Sequence, residues 1–234
     1  MTFVSDSLQH LNEEIIACRA CPRLVAWREE VARVKRAAYR AWDYWGRPVP
    51  GFGDPAARLL LIGLAPGAHG SNRTGRQFTG DASGDWLMGA LYRAGFANQP
   101  ATRDRDDGLC LHDAYITACV RCAPPGNRPT PQEIANCRPF LQRELALLPQ
   151  ARVVIALGQI ALNGYLAAVR AQGHAVPSVH FGHGMHVELP DGLPHLIASY
   201  HPSRQNTQTG RLSKEMFNAV FAQARSLLAE RGNR

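Results

Sequence analysis

Four times along this chain, a short unbroken run of apolar residues ends in a loop and gives way to a helical pattern. The runs are RLLLIGLA at 58–65, AYITACV at 114–120, ARVVIALG at 151–158 and HLIASYH at 195–201. A strand with one wet face would alternate apolar and polar residues, so an unbroken run marks a strand buried on both faces. Helices are expected near 85–94, 131–148, up to about 171, and 213–231. Strand, loop and helix in repetition predict an α/β fold with a parallel sheet, helices on both faces and right-handed crossovers. FGHGMHVEL at 181–189 reads as a short extra strand or hairpin, and the Gly-, Pro- and aromatic-rich stretch 43–53 as loop. Upstream, Leu8, Leu11, Ile15 and Ile16 recur at helical spacing, so 5–41 reads as helix interrupted by a C-x-x-C-P. In such sheets ligands bind beyond the carboxyl ends of the strands. The loops after the first, second and fourth strands are therefore expected to converge on one pocket.

The chain of 234 residues, 45% hydrophobic, is long enough for one domain spanning 1–234 with an N-terminal helical extension over about 1–53. No apolar run approaches the ~20 residues needed to cross a bilayer. The first residues lack the basic and apolar regions of a signal peptide. Together these argue against a secreted or membrane-spanning protein and for the cytoplasm, where thiols stay reduced. The net charge of +7 suits a polyanion such as nucleic acid, although a solvated basic surface explains it equally well. Lysine occurs only at Lys35 and Lys214, so the positive charge is almost all arginine.

Four cysteines have the positions of a ligand set. Cys18 and Cys21 form the C-x-x-C, and Cys122 and Cys137 lie about a hundred residues downstream. Four thiolates complete the coordination of one iron–sulfur cluster or one zinc. Zinc ribbons use two close pairs, whereas fourteen residues separate the second pair here. That spacing leans towards a cluster and leaves zinc open. Cys119 lies within an apolar run and reads as a small core residue, and Cys110 fits no pattern.

The loop 63–84 holds six glycines together with Asn72, Arg73, Arg76 and Asp81. It matches neither the dinucleotide nor the P-loop fingerprint, yet structureless loops of this length are usually functional. Phe78 within it is placed either to stack on a planar ligand or to form a local mini-core. His201 closes the fourth run, where an imidazole can donate to a developing anion. His180, His183 and His186 read as a surface hairpin rather than a metal site.

At these residues the chain resembles the uracil-DNA glycosylase superfamily, specifically its iron–sulfur members. The order of C-x-x-C, G-x-A-P-G, a cysteine before P-P-x-N-R, a second cysteine fifteen positions on, and H-P-S is shared with families 4 and 5. Family 5 fits better. Family 4 has an acidic residue in its first motif where this chain has Leu64, and an asparagine in its second strand where this chain has Ala118. HGSNRTGRQFTGDASG and HPSRQNTQTG look like family 5 almost throughout.

The resemblance implies a three-layer α/β/α sandwich around a four-stranded parallel sheet. It also implies a structural [4Fe–4S] cluster on Cys18, Cys21, Cys122 and Cys137, and hydrolytic removal of uracil from DNA. On that basis His201 is expected to donate to the departing base and Phe78 to stack on it. Leu64, Ala65, Pro66 and Gly67 should line the pocket, and Asn127 should bond the base or sugar. Asp81 stands in for the missing first-motif carboxylate or merely caps its loop. Ala118 should relax base choice towards lesions such as hypoxanthine, because it leaves no polar group to go unpaired. Contact with DNA is assigned to Asn72, Arg73, Arg76, Arg128, Ser203, Arg204, Asn206 and the arginines of 33–40. The enzyme is expected to be a monomer; the competing reading is a nucleic-acid-binding module, stabilised by zinc or a cluster, without catalysis.

Overall fold

The four apolar runs form the parallel centre of a mixed six-stranded sheet. In this computed structural model, which describes residues 6–230, the strands are β1 (Phe52–Gly53), β2 (Leu59–Gly63), β3 (Ala114–Ala118), β4 (Val153–Leu157), β5 (His186–Val187) and β6 (His195–Ser199). Their spatial order is β1-β3-β2-β4-β6-β5. The pairs β2–β3, β2–β4 and β4–β6 are parallel, while β1 and β5 pair antiparallel at the two edges. A purely four-stranded sheet is thus corrected by two edge strands of two residues each. Elements so short carry no periodicity to read. β1 lies in the stretch expected to be loop, and it needs Gly53: at φ 139° a Cβ there would come within 2.4 Å of the Ala114 carbonyl oxygen. β5 is the short strand anticipated within 181–189.

Every residue of the four central strands is buried. Successive side chains alternate between two cores, as the pleat requires. Leu59, Leu61, Ile116, Ile155 and Ile197 pack on one face with Leu87, Phe217 and Phe221. Leu60, Ile62, Val154 and Leu196 pack on the other with Leu162, Tyr165 and Leu166.

The α-helices are α1 (Leu8–Ala17), α2 (Pro22–Val34), α3 (Ser71–Thr74), α4 (Ala82–Arg93), α5 (Pro131–Leu147), α6 (Gln159–Ala171), α7 (Arg204–Gln208) and α8 (Lys214–Glu230). α4 and α8 cover the first face and α5 and α6 the second, with α1 laid against α5. This is the three-layer sandwich. Two expected helix ends, Ser5 and Arg231, lie outside the described residues. The C-x-x-C separates α1 from α2, and Pro22 supplies a preset φ at the first position of α2. α2 stops at Val34 rather than near residue 41. Lys35 turns to φ 60°, which breaks the i→i−4 ladder, and its Nζ then holds the Trp42 carbonyl at 2.7 Å. Only a 3₁₀ turn, Ala37–Tyr39, follows. Among the described residues no helix is long and apolar enough to cross a membrane.

Candidate active site

A pocket of about 1130 Å³ opens beyond the carboxyl ends of β2 and β6. The loop after β2 supplies Leu64, Ala65, Gly67, Phe78 and Asp81, the turn after β3 supplies Asn127, and the loop after β6 supplies His201 and Ser203. The three expected segments therefore do meet. Pro66 and Ala118 do not line the pocket: both side chains are buried, and Ala118 pairs with Gly63 inside the sheet. Their assignment to the substrate wall is corrected accordingly.

The ring of His201 lies 5.7 Å from that of Phe78, tilted by 31°. Burial pushes its imidazole down to about 4, so it is neutral near pH 7. A neutral ring keeps one N–H to donate. Phe78 takes a left-handed φ of 49° and presses on the end of β2, where a Cβ on Gly63 would sit 2.8 Å from its ring. The same ring belongs to the core behind it and lines the pocket in front.

Asp81 likewise has two roles in the geometry. It is the N-cap of α4, with its side chain accepting the Gly84 N–H at 3.0 Å. Its Oδ2 meanwhile lies over Gly67 and Gly70, where added Cβ atoms would fall 2.9 and 2.1 Å from it. The carboxylate thus rests on the end of the first motif at Gly67 and on Gly70 beyond it. Burial raises its pKa, against the pull of the Gly84 and Ser83 N–H groups. Asn127 ends the 3₁₀ turn Pro125–Asn127 at φ 57° and is exposed on the pocket rim.

Four of the expected DNA contacts, Asn72, Arg73, Arg76 and Asn206, are turned inward. Arg73 is 3% exposed, clamped between Tyr39 and Trp42 at 4.1 and 4.0 Å, and donates to the carbonyls of His69 and Gly80. Arg76 is 7% exposed and is consumed by Asp107, Thr102 and Thr79. Asn72 is fully buried. The amide of Asn206 donates to the His201 carbonyl at 2.8 Å and so holds the histidine loop. Desolvation makes an unpaired internal guanidinium or amide costly, so these groups bond inward rather than reach for phosphate. Arg128 and Arg204 do face solvent. Ser203 caps α7 and lines the pocket.

The four cysteines of the ligand set gather, although they come from three segments. Cys18, Cys21, Cys122 and Cys137 all line one small cavity, walled by Leu24, Val25 and Phe140. Buried Arg28 donates to Cys122 Sγ at 2.8 Å, and Asn136 donates to Cys21 Sγ at 3.4 Å. Among the described residues, no group of three or more His, Cys, Asp or Glu is arranged to hold a metal ion. The thiols surround a space instead of closing on a point. Cys119 is buried against α6, as its apolar setting implied, and Cys110 is exposed. His183 and His186 bond within the fold, to Tyr200 and His195 respectively.

The model of the uracil DNA glycosylase superfamily matches residues 50–225, which takes in the whole sheet and the pocket loops after β2, β3 and β6. The chain belongs to the uracil-DNA glycosylase superfamily. It is 58% identical to a type-5 uracil-DNA glycosylase of Thermus thermophilus, covering 92% of this chain and 95% of the relative. It is 52% identical to one of Mycobacterium bovis, covering 94% and 82%. The matched region begins after the cysteine pair of the N-terminal helices.

Some pocket residues of this glycosylase-superfamily chain were missed in the sequence. Tyr39 and Trp42 line the pocket from the segment after α2, beside Arg36 of the expected 33–40 arginines, and Arg103 lines it from the loop after α4. The aromatic density of 39–45 was the available signal. It reads as loop filler until Arg73 is seen stacked between two of its rings. His69 is also in the wall, and its Nδ1 lies 3.0 Å from the Tyr44 hydroxyl.

Proposed function

We propose that this protein flips uracil out of DNA and hydrolyses its N-glycosidic bond, leaving an abasic site. The observation that carries the reading is the meeting of His201, Phe78, Asp81 and Asn127 in one pocket of a glycosylase-superfamily sheet. Relatives bearing the type-5 uracil-DNA glycosylase name support it over nearly the whole chain.

A base inside the duplex is out of reach, so the nucleotide must be extruded. Phe78 stacks on the extruded base. The bond from C1′ to the base nitrogen breaks, and its electron pair leaves with the base. Neutral His201 donates its N–H to the carbonyl oxygen where that charge collects, which suits a ring too buried to be cationic. Asp81 holds a water against C1′. The water oxygen bonds to C1′, one of its protons ends on the departing base, and the other remains as the sugar hydroxyl. Asn127 bonds the base or sugar side.

Because β3 ends in Ala118, whose methyl stops short of the pocket wall, no side-chain amide from that strand reaches in to read the pyrimidine edge, and hypoxanthine and related deaminated bases should be accepted as well. Cys18, Cys21, Cys122 and Cys137 would hold a [4Fe–4S] cluster. Their chemistry and common cavity fit such a group, and Arg28 lies there with a buried Nε lacking a partner. When bound, it supplies a covalent clamp between the N-terminal helices and the loop after β3. We further read the chain as one domain, with 1–53 as the cluster-binding extension, working as a cytoplasmic monomer.

The test is incubation with duplexes carrying uracil or hypoxanthine, followed by alkaline cleavage at abasic sites. Strand breaks are expected with both. Breaks with uracil alone would sink the relaxed-base reading, and none with either would sink the function. In single turnovers, His201→Ala and Asp81→Ala should each slow excision by roughly 10²-fold or more. If Asp81→Ala keeps the wild-type rate while His201→Ala collapses, the water role belongs elsewhere.

A further inference from the structure

Resting on the cluster reading above, we infer that Arg28 and Asn72 form a buried strut through which the cysteine site positions the loop beneath Asp81. Arg28, on α2, is 2% exposed. Its Nη1 donates to Cys122 Sγ at 2.8 Å, and Nη1 and Nη2 reach the Cys18 carbonyl at 3.4 and 3.3 Å. Its own carbonyl accepts from Asn72 Nδ2 at 3.2 Å. Asn72 has no exposed surface. Its N–H donates to the Gly67 carbonyl at 3.0 Å, its Nδ2 also reaches the Ala68 carbonyl at 3.4 Å, and its carbonyl accepts the Gly46 N–H at 3.0 Å. Gly67 is one of the two glycines on which the Asp81 carboxylate rests. Two residues thus connect a cysteine sulfur to the peptide under the proposed water-holding group.

The link has direction because a buried guanidinium needs a counter-charge. The nearest carboxylate, Glu29, is 3.9 Å from Arg28 Nη2 and is already paired with Arg19. Thiolates on a bound cluster supply the missing negative charge. Without them the Arg28 guanidinium is left buried beside the Cys18 carbonyl, which favours its withdrawal; α2 shifts with it and carries the Arg28 carbonyl away from Asn72. Arg28 and Asn72 are positioning residues: neither faces the pocket.

The test follows amide exchange at Gly70, Asn72, Arg73 and Thr74, whose N–H groups are bonded to Gly67 and Gly70 carbonyls, in purified protein before and after iron is removed by oxidation and chelation. In the wild type, iron removal should speed exchange in this loop by about tenfold. In Asn72→Ala, exchange should start at the raised value and stay there, with iron content and visible spectrum as in the wild type. Single-turnover excision should fall while DNA affinity holds. Arg28→Met should alter the visible spectrum and raise loop exchange together. If Asn72→Ala does not fold, Asn72→Ser, a shorter donor, should show the same uncoupling in weaker form. Iron-loaded wild type whose loop ignores iron removal, or an Asn72 variant that still responds fully, overturns the strut alone. Colourless, iron-free wild type overturns the cluster reading and the strut with it.

Discussion

Asp81 shows how one side chain serves two needs. One oxygen caps α4 and the other rests on Gly67 and Gly70, so its position depends on there being no Cβ beneath it. Gly67→Ala puts a methyl 2.9 Å from Oδ2, and the carboxylate must move. Single-turnover excision should fall by roughly 10²-fold, the scale set by about 1 Å of misplacement. Stability should change by less than ~1 kcal/mol, since Gly67 has no left-handed φ to lose. An unchanged rate would show that the placement of Asp81 does not matter. His201 makes a pH-dependent contribution. Its folded value near 4 lies below its ordinary 6.5, so between them the unfolded chain binds a proton that the folded chain refuses. Its contribution to stability is intact above 6.5 and is lost as pH falls towards 4. The raised Asp81 acts in the opposite sense, so the difference between proteins is the informative quantity. Urea midpoints should fall less steeply from pH 7 to 4.5 in His201→Asn than in the wild type. Parallel curves would contradict a buried neutral ring.

At the scale of elements, the loop after β3 is fixed by the start of α5. Thr130 accepts the Glu133 N–H at 3.2 Å, and Glu133 returns to the Thr130 N–H at 2.7 Å, a reciprocal capping box. Glu133 also takes Arg23 of α2 through two bonds of 2.8 and 2.7 Å, which ties the two cysteine-bearing regions together without any metal. Thr130→Ala should lose about 1 kcal/mol and lower Tm by roughly 2–4 °C, measurable by thermal unfolding of the purified protein. No change would mean the cap is dispensable. The apolar runs made the four central strands legible, because burial on both faces leaves a local pattern. β1, α3 and α7 were not, since two to five residues carry none.

Across the whole molecule, the net charge of +7 divides into two populations. Arg28, Arg73, Arg76 and Arg121 are internal and hold loops or meet buried partners, as Arg121 meets Glu144. Arg36, Arg128 and Arg204 are exposed, Arg36 and Arg204 in the pocket wall and Arg128 next to Asn127, and under the proposed function they are assigned to phosphates. Arg204→Ala should weaken DNA binding and reduce the slope of log K against log salt by about 1. Arg76→Ala should leave that slope alone and lower stability by about 1–3 kcal/mol, because it removes the guanidinium from Asp107 and leaves that carboxylate only the Thr102 hydroxyl and loop N–H groups. Burial opposes the charge on Asp107, but the N–H groups of Arg103 and Leu109 and the Arg76 guanidinium hold its carboxyl at about 2. Binding isotherms over a salt series, with denaturant curves on the same proteins, separate the two outcomes.

The sequence alone determined the sheet, the three loops that build the pocket, and the cysteines, histidine and carboxylate worth watching, because each leaves a mark in adjacent residues. Tertiary structure decided which arginines are free and that Asn72 faces α2. It also decided that Asp81 both caps a helix and rests on a glycine floor, and that thiols from three segments share one cavity. Whether a polar side chain turns outward depends on partners far away in the chain, and desolvation lets the buried ones bond only to each other.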